Sequence, residues 1–272
     1  MKGMIVVSTQ ARGYELKEML LTSGRGGRPG RKIQPKALVI HWTANTKAGA
    51  DAVANRNYFE GHPQNKVSAH YIVDDHQVVQ CLPEDEMGYH VGAYRYQPKA
   101  LELLSSYPNN CTIGIEICVN EDCDFRRTYW NTVALAADIL QRYGWGIDRL
   151  WRHYDITWKD CPRFFVNDET ACAYGFTSAA EGWEQFKSDV KKEMQGKGTD
   201  RMFTDMRGHW AENDVEEAAK LGLVAGKGDG TFGPDDGMTR AQGTVVSLRV
   251  YKKLETKIIA LEERIAKFEG RA

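Results

Sequence analysis

The sequence predicts an α/β fold, a mixed central sheet flanked by helices, followed by a small all-α module with a terminal helix. Three observations carry that expectation. Apolar, β-rich runs (KALVIHW, SAHYIV, QVVQCL, CTIGIEICV) alternate with amphipathic helical stretches, the pattern of helices packed on a sheet. The polar, glycine-containing QGKGTD at 195–200 then interrupts the pattern. Beyond residue 200 the chain reads as helix, turn-rich loop and helix.

In chain order, residues 1–36 are a basic N-terminal extension, with eight lysines and arginines against two glutamates. Such a run is a solvated arm or a contact for an anionic polymer. Within it SGRGGRPGRKIQP reads as loop. The main domain is expected over 37–194. KALVIHW reads as a buried strand ending on His41, and AGADAVANRNYFEG as a helix stopped at Gly61. SAHYIVDDHQVVQCL is a hairpin about a polar turn. CTIGIEICV is a second buried strand, with Glu116 in its middle. In TYWNTVALAADILQRYG, Trp130, Val133, Ala137 and Leu140 share one face and Gly144 suits the C-cap. EGWEQFKSDVKKEM is a further amphipathic helix. After a linker at 195–202, the module at 203–253 holds a helix ending in GLVAG and the loop GDGTFGPDDGMTRAQ, with the last helix starting near Thr239. Leu254, Ile258, Leu261, Ile265 and Phe268 are spaced four and three in turn, a heptad seam over 254–272. A seam of about two heptads either packs on its own domain or joins copies of the chain, as dimer or trimer.

Composition narrows the function. A formal net charge of −1 excludes the electrostatic footprint of a nucleic-acid binder. No apolar run approaches the ~18 residues of a membrane span. The stretch Met4–Val7 is also shorter than the roughly 7–15 apolar residues of a secretion signal, so synthesis in the cytoplasm is expected. Six cysteines are too few for a disulfide scaffold and are expected as free thiols, although Cys111, Cys118 and Cys123 lie close enough in sequence for one bridge.

The chemistry centres on RHYDITWKDCP at 152–162. His153 and Cys161 are donor types that zinc favours, and a catalytic zinc takes three protein ligands and leaves one position for water. His41, ending a buried strand, is a third donor of the right type. A structural site would want a fourth ligand, for which Asp155 and Asp160 are the nearby candidates. A cysteine nucleophile with His153 as its base would leave His41 unexplained. Glu116 in an apolar strand is costly unless paired or functional.

VIHWTAN, VSAHYIVDD, IGIEIC and RHYDITWKDCPRF, in that order, with RPG at 28–30 ahead of them, resemble the zinc-dependent N-acetylmuramoyl-L-alanine amidases of the phage-lysozyme and peptidoglycan-recognition superfamily, endolysins above all. The resemblance covers about 25–194. It implies an amidase-like fold, Zn2+ on His41, His153 and Cys161, Glu116 passing a proton from water to the leaving amine, and Lys159 stabilising the developing oxyanion. The bond cut is then the amide between the lactyl group of N-acetylmuramic acid and L-alanine in peptidoglycan. The tyrosine that many superfamily members carry before the HY pair is Ala69 here, which shifts weight onto Glu116. His70 is expected either in the cleft or as a strand histidine; His62, His76 and His90 are expected as surface or structural residues, with His90 alternatively along the substrate groove.

FTDMRGHWAENDVEEAAKLGLVAGKGDGTFGPDDGMTRAQ resembles one S-layer homology motif, with TRAQ in place of the usual TRAE. That resemblance implies a secondary cell-wall polymer as partner, with Trp210, Asp229 and Arg240 as contacts. The loop lacks the alternating acidic residues and terminal Glu of an EF-hand, so calcium is not expected. The combined expectation is a wall hydrolase that reaches the wall through a holin pore, as a phage or prophage endolysin. A host autolysin and a non-catalytic peptidoglycan-binding protein are the alternatives.

Overall fold

The computed structural model describes residues 14–195, 202–206, 209 and 211–269. The chain divides into two compact units, Met1–Asp200 and Arg201–Ala272.

The first unit is built on six strands: β1 (Leu16–Glu18), β2 (Ala37–Trp42), β3 (Tyr71–Val73), β4 (Val78–Gln80), β5 (Thr112–Ile117) and β6 (Leu150–Arg152). They lie in the order β1-β4-β3-β5-β2-β6. β2 pairs in parallel with β5 and β6, and β3 in parallel with β5. The β3–β4 hairpin is the antiparallel pair, closed where Asp74 Oδ1 accepts from the backbone N–H groups of His76 and Gln77. Part of the basic extension is not a free arm. β1 joins the sheet edge beside β4, Leu21 is buried, and Arg28 of RPG donates to Glu86 at 2.8 Å and to the Leu21 carbonyl. Residues 1–13 lie outside the described residues.

The helices are α1 (Ala52–Gly61), α2 (Pro98–Leu103), α3 (Phe125–Arg142), α4 (His153–Thr157), α5 (Asp168–Ala173) and α6 (Ala179–Met194). Asp51 caps α1 through the Ala54 N–H, Asp124 caps α3, and Ser178 caps α6. α3 ends as its glycine suggested: Gly144 takes φ +65°, and Trp145 N–H donates to the Leu140 carbonyl.

Strand alternation decides which face carries chemistry. Leu38 and Ile40 on β2, with Ile113, Ile115 and Ile117 on β5, pack into one cluster with Val133, Ile139, Phe186 and Val190 of α3 and α6. Burying side chains of this size contributes roughly 1.5–3 kcal/mol each. Ala37 and Val39 belong to a separate cluster on the other face, with Val91, Trp151 and Ile156. By the same parity His41, Thr112, Gly114 and Glu116 face away from α3 and α6.

The second unit holds α7 (Glu212–Lys220) and α8 (Arg240–Glu269). α8 runs unbroken across the expected boundary at 253/254. Thr239 N–H donates to Gln242 Oε1, and Gln242 N–H donates to Thr239 Oγ1. This reciprocal capping box explains why Gln serves where the motif usually has Glu. Arg249 and Lys253 donate to the Leu223 and Leu221 carbonyls just past the end of α7, at 3.2 and 2.6 Å. Asp205 accepts from the N–H groups of Phe232 and Gly233, holding the GDGTFGP loop.

Candidate metal centre

β2 and β5 run in parallel with His41 directly opposite Glu116. Both sit at the carboxyl ends of their strands, where α/β sheets form their clefts. β6 delivers the third element, because His153 follows Arg152 and opens α4. α4 stops at Trp158, whose φ of +63° turns the chain back. The Tyr154 N–H then donates to the Cys161 carbonyl at 2.9 Å, returning Cys161 to His153.

One donor atom from each of His41, His153 and Cys161 falls within a 4.8 Å cluster. All three residues are buried, and Cys161 Sγ lies 3.7 Å from His41 Nδ1. Both ring nitrogens of His153 are buried with no hydrogen-bond partner, where buried polar atoms are ordinarily satisfied. A buried cluster of one thiol and two imidazoles, with one ring wholly unpaired, fits a zinc ion. Burial pushes the Cys161 thiol up to about 12, so in the absence of a metal it stays protonated. That disfavours a free nucleophilic cysteine. Burial lowers His153 to about 3 and His41 well below its ordinary value, keeping both rings neutral and able to donate a lone pair.

Among the described residues no fourth His, Cys, Asp or Glu joins this cluster. Asp155 accepts from the Arg152 guanidinium at 2.7 Å, and Asp160 pairs with Arg163 at 3.3 Å. Three protein donors with no fourth beside them match the count of a catalytic zinc centre, not of a structural one.

The Glu116 carboxyl borders the cluster. One of its oxygens, Oε2, is buried without a partner, and burial raises the group to about 8 against a smaller opposing effect of Lys159. Lys159 is exposed, and its charge also lowers His41, His153 and Cys161. A cleft of about 720 Å³ contains His41, Glu116, His153, Lys159 and Cys161. Asn55, Tyr58, Lys66, Tyr107 and Asn109 also line it. Sequence reading missed these five, because isolated polar residues in loops and on α1 carry no spacing that marks them.

The remaining histidines resolve differently. His70 is fully buried and lies outside the cleft lining. Its Nε2 donates to the Glu86 carbonyl at 2.8 Å, and its Nδ1 accepts from the Gly114 N–H at 3.0 Å. With both nitrogens engaged it is a strand-knitting histidine, so the expectation of a substrate contact gives way to the other reading. His90 does border the cleft, but its nitrogens face Thr112 and His41. Ala69 is buried outside the cleft lining. All six cysteines are free. In the second unit Asp229 Oδ1 accepts from the N–H and hydroxyl of Thr231, shaping its own loop. Arg240 opens α8 and is exposed. Trp210 lies outside the described residues.

The model of the N-acetylmuramoyl-L-alanine amidase family matches residues 30–164, and that of the S-layer homology domain matches residues 203–242. Over 146 residues the chain is 38% identical to a probable N-acetylmuramoyl-L-alanine amidase of Bacillus licheniformis, covering 52% of this chain and 40% of that protein. It is 34% identical over 167 residues to the amidase XlyA of Bacillus subtilis strain 168, covering 61% of this chain and 48% of that one. The chain therefore spans less than half the length of these curated relatives. The structure of the catalytic domain of XlyA superposes with a TM-score of 0.53 at 28% identity, covering 65% of this chain and 99% of that domain. A mutant endolysin from Bacillus subtilis superposes equally well, at 29% identity.

Proposed function

The chain joins a domain of the N-acetylmuramoyl-L-alanine amidase family to an S-layer homology domain, and from that pairing we propose that it hydrolyses the amide between N-acetylmuramic acid and L-alanine in peptidoglycan. The observation that carries the reading is the three-donor cluster of His41, His153 and Cys161 with no fourth protein ligand beside it among the described residues. Zinc held there would supply Lewis-acid activation of water and of the scissile carbonyl.

The chain's own groups divide the remaining work. His41 and His153 stay neutral and Cys161 gives up its proton when the metal binds. Glu116 accepts a proton from water at its unpartnered Oε2 and returns it to the departing amine. Its raised pKa suits a group that must both take and release a proton near neutral pH. Lys159, at the cleft rim, offers positive charge to the oxyanion that develops on the carbonyl. The lack of a fourth protein donor beside the three, among the described residues, and the half-buried Glu116 with its buried, unpartnered Oε2 favour catalysis over a non-catalytic peptidoglycan-binding role.

The second unit supplies wall affinity, with Arg240 offering a guanidinium to an anionic cell-wall polymer. α8 supplies a contact for a second copy. Tyr251, Leu254, Ile258, Leu261 and Ile265 are between 52% and 61% exposed. In heptad terms Tyr251, Ile258 and Ile265 take a positions, and Leu254, Leu261 and Phe268 take d positions. Ile at a with Leu at d favours two parallel strands. Glu255, Glu262 and Glu269 occupy e, and Lys257 and Arg264 occupy g. Parallel packing sets each g cation toward the next e glutamate of the other copy, whereas antiparallel packing sets like charges together. A parallel dimer would carry two wall-binding motifs and gain avidity without new contacts.

The setting is lysis of a Gram-positive host, the enzyme reaching the wall from the cytoplasm through a holin pore. Its likeness to an endolysin structure favours this over a host autolysin. Among the described residues no helix is long and apolar enough to cross a membrane. Digestion of purified peptidoglycan tests the reaction: new L-alanine amino termini support an amidase, and new reducing sugar ends point to a glycosidase.

A further inference from the structure

His90 carries a chain of hydrogen bonds that ends at a metal ligand. Its Nε2 lies 3.2 Å from the Thr112 carbonyl oxygen and 3.2 Å from Thr112 Oγ1. The carbonyl can only accept. The Thr112 hydroxyl spends its proton on the Pro108 carbonyl at 2.8 Å, so toward His90 it too accepts. Both oxygens therefore require the proton on His90 Nε2. A neutral imidazole, the form present above its ordinary pKa of about 6.5, carries one N–H. His90 Nδ1 is then a bare lone pair, 2.9 Å from His41 Nε2. That contact is a hydrogen bond only if His41 carries its own proton on Nε2. His41 Nδ1 is thereby left unprotonated, and it is the atom 3.7 Å from Cys161 Sγ.

We propose that Thr112 and His90 fix the tautomer of His41 and so present its Nδ1 lone pair to the metal, which makes His90 a positioning residue for the centre. The inference rests on His41 being a metal ligand. Two features of the fold hold the relay in place. Asn109 Oδ1 accepts from the backbone N–H groups of His90 at 3.1 Å and Val91 at 2.9 Å. Gly114 leaves the ring its room, since a Cβ there would stand 2.6 Å from His90 Nδ1. Were His41 to hold its proton on Nδ1 instead, an N–H would point into the ligand cluster, and zinc binding would first have to move it. Groups outside the ligand sphere that orient a ligating imidazole are typically worth 10–100-fold in metal affinity.

The test is the ring-nitrogen NMR spectrum of His41 in the zinc-free, full-length protein, followed by zinc titration. The expected spectrum is an Nε2-protonated, Nδ1-bare imidazole before any metal is added. His90→Leu should release that preference and weaken zinc binding 10–100-fold. His90→Gln should restore most of the affinity, because its amide oxygen can accept from His41 while its NH₂ donates to Thr112. A wild-type His41 protonated on Nδ1 would overturn the proposal, and needs no variant to fold. So would a folded His90→Leu protein that keeps both the tautomer and the affinity. Failure of the wild type to bind zinc at all would instead strike the metal reading, while the NMR result would still report on the relay.

Discussion

His41 and Glu116 sit directly opposite one another across the parallel β2–β5 pair. The register of two strands thus sets one of the three clustered donors beside the carboxyl proposed to handle the proton. A one-residue slip would send one of them to the α3–α6 face, among Ile40 and Ile115.

Glu116→Gln keeps the shape and removes the proton carrier. The variant should fold and bind zinc as the parent does, while hydrolysis falls by roughly 10²–10⁴. Turnover on soluble muropeptide, with zinc content measured on the same sample, checks this. Full activity in the variant would remove Glu116 from the reaction.

The buried ionisable groups should give the zinc-free protein a two-sided pH profile. Burial holds His70 near 4 and His153 near 3, with His41 and His90 also lowered. Unfolding lets these rings take protons below their ordinary 6.5, so stability falls as pH drops from there toward 3. Glu116 works in the opposite sense. Folding holds its proton up to about 8, whereas the unfolded chain releases it near 4.5, so stability declines between those values as pH rises. Denaturation midpoints at pH 4, 6 and 9 should peak in the middle. Glu116→Gln should remove that decline, flattening the alkaline side by on the order of a few kcal/mol and steepening the rise between pH 4.5 and 6.

Gly114→Ala adds a single methyl group at 2.6 Å from a ring nitrogen of His90. The imidazole cannot be displaced cheaply in a close-packed interior. Zinc affinity should fall even though residue 114 touches no metal, as isothermal titration would show.

The charge pattern of α8 is separable from its apolar seam. Sedimentation should give a dimer at micromolar concentration, and Ile258→Asn together with Leu261→Asn should give monomer. Glu262→Lys should weaken the dimer, and adding Lys257→Glu should recover it if the copies run parallel. Ending the chain after Asp200 should cut binding to whole walls while leaving turnover of soluble muropeptides largely intact.

The three donors that the structure brings together, and Glu116 beside them, were legible in the sequence because each is chemically conspicuous where it stands: His41 closes an apolar run, Glu116 interrupts one, and His153 and Cys161 flank a short turn. The strands and helices were legible for the same reason, through periodicity and caps. β6 and β1 were not singled out as strands, since each is three residues long and, unlike β3 and β4, has no polar turn joining it to a partner strand. The role of His90 was also hidden. Its partners Thr112 and His41 come from two other stretches of chain, and a tautomer is set by hydrogen bonds that no spacing records. His70 reads the same way in sequence, and only its two backbone partners separate it from the cleft.

Everything proposed for the first unit depends on one zinc, held by His41, His153 and Cys161, enabling cleavage of the muramoyl–alanine amide. The decisive measurement strips the protein with chelator, adds back zinc in substoichiometric steps and counts new L-alanine amino termini released from purified peptidoglycan. The expected result is no release from the stripped protein, a linear rise that saturates at one zinc per chain, and no new reducing sugar ends. Undiminished release from the stripped protein, or reducing ends in place of amino termini, would contradict it.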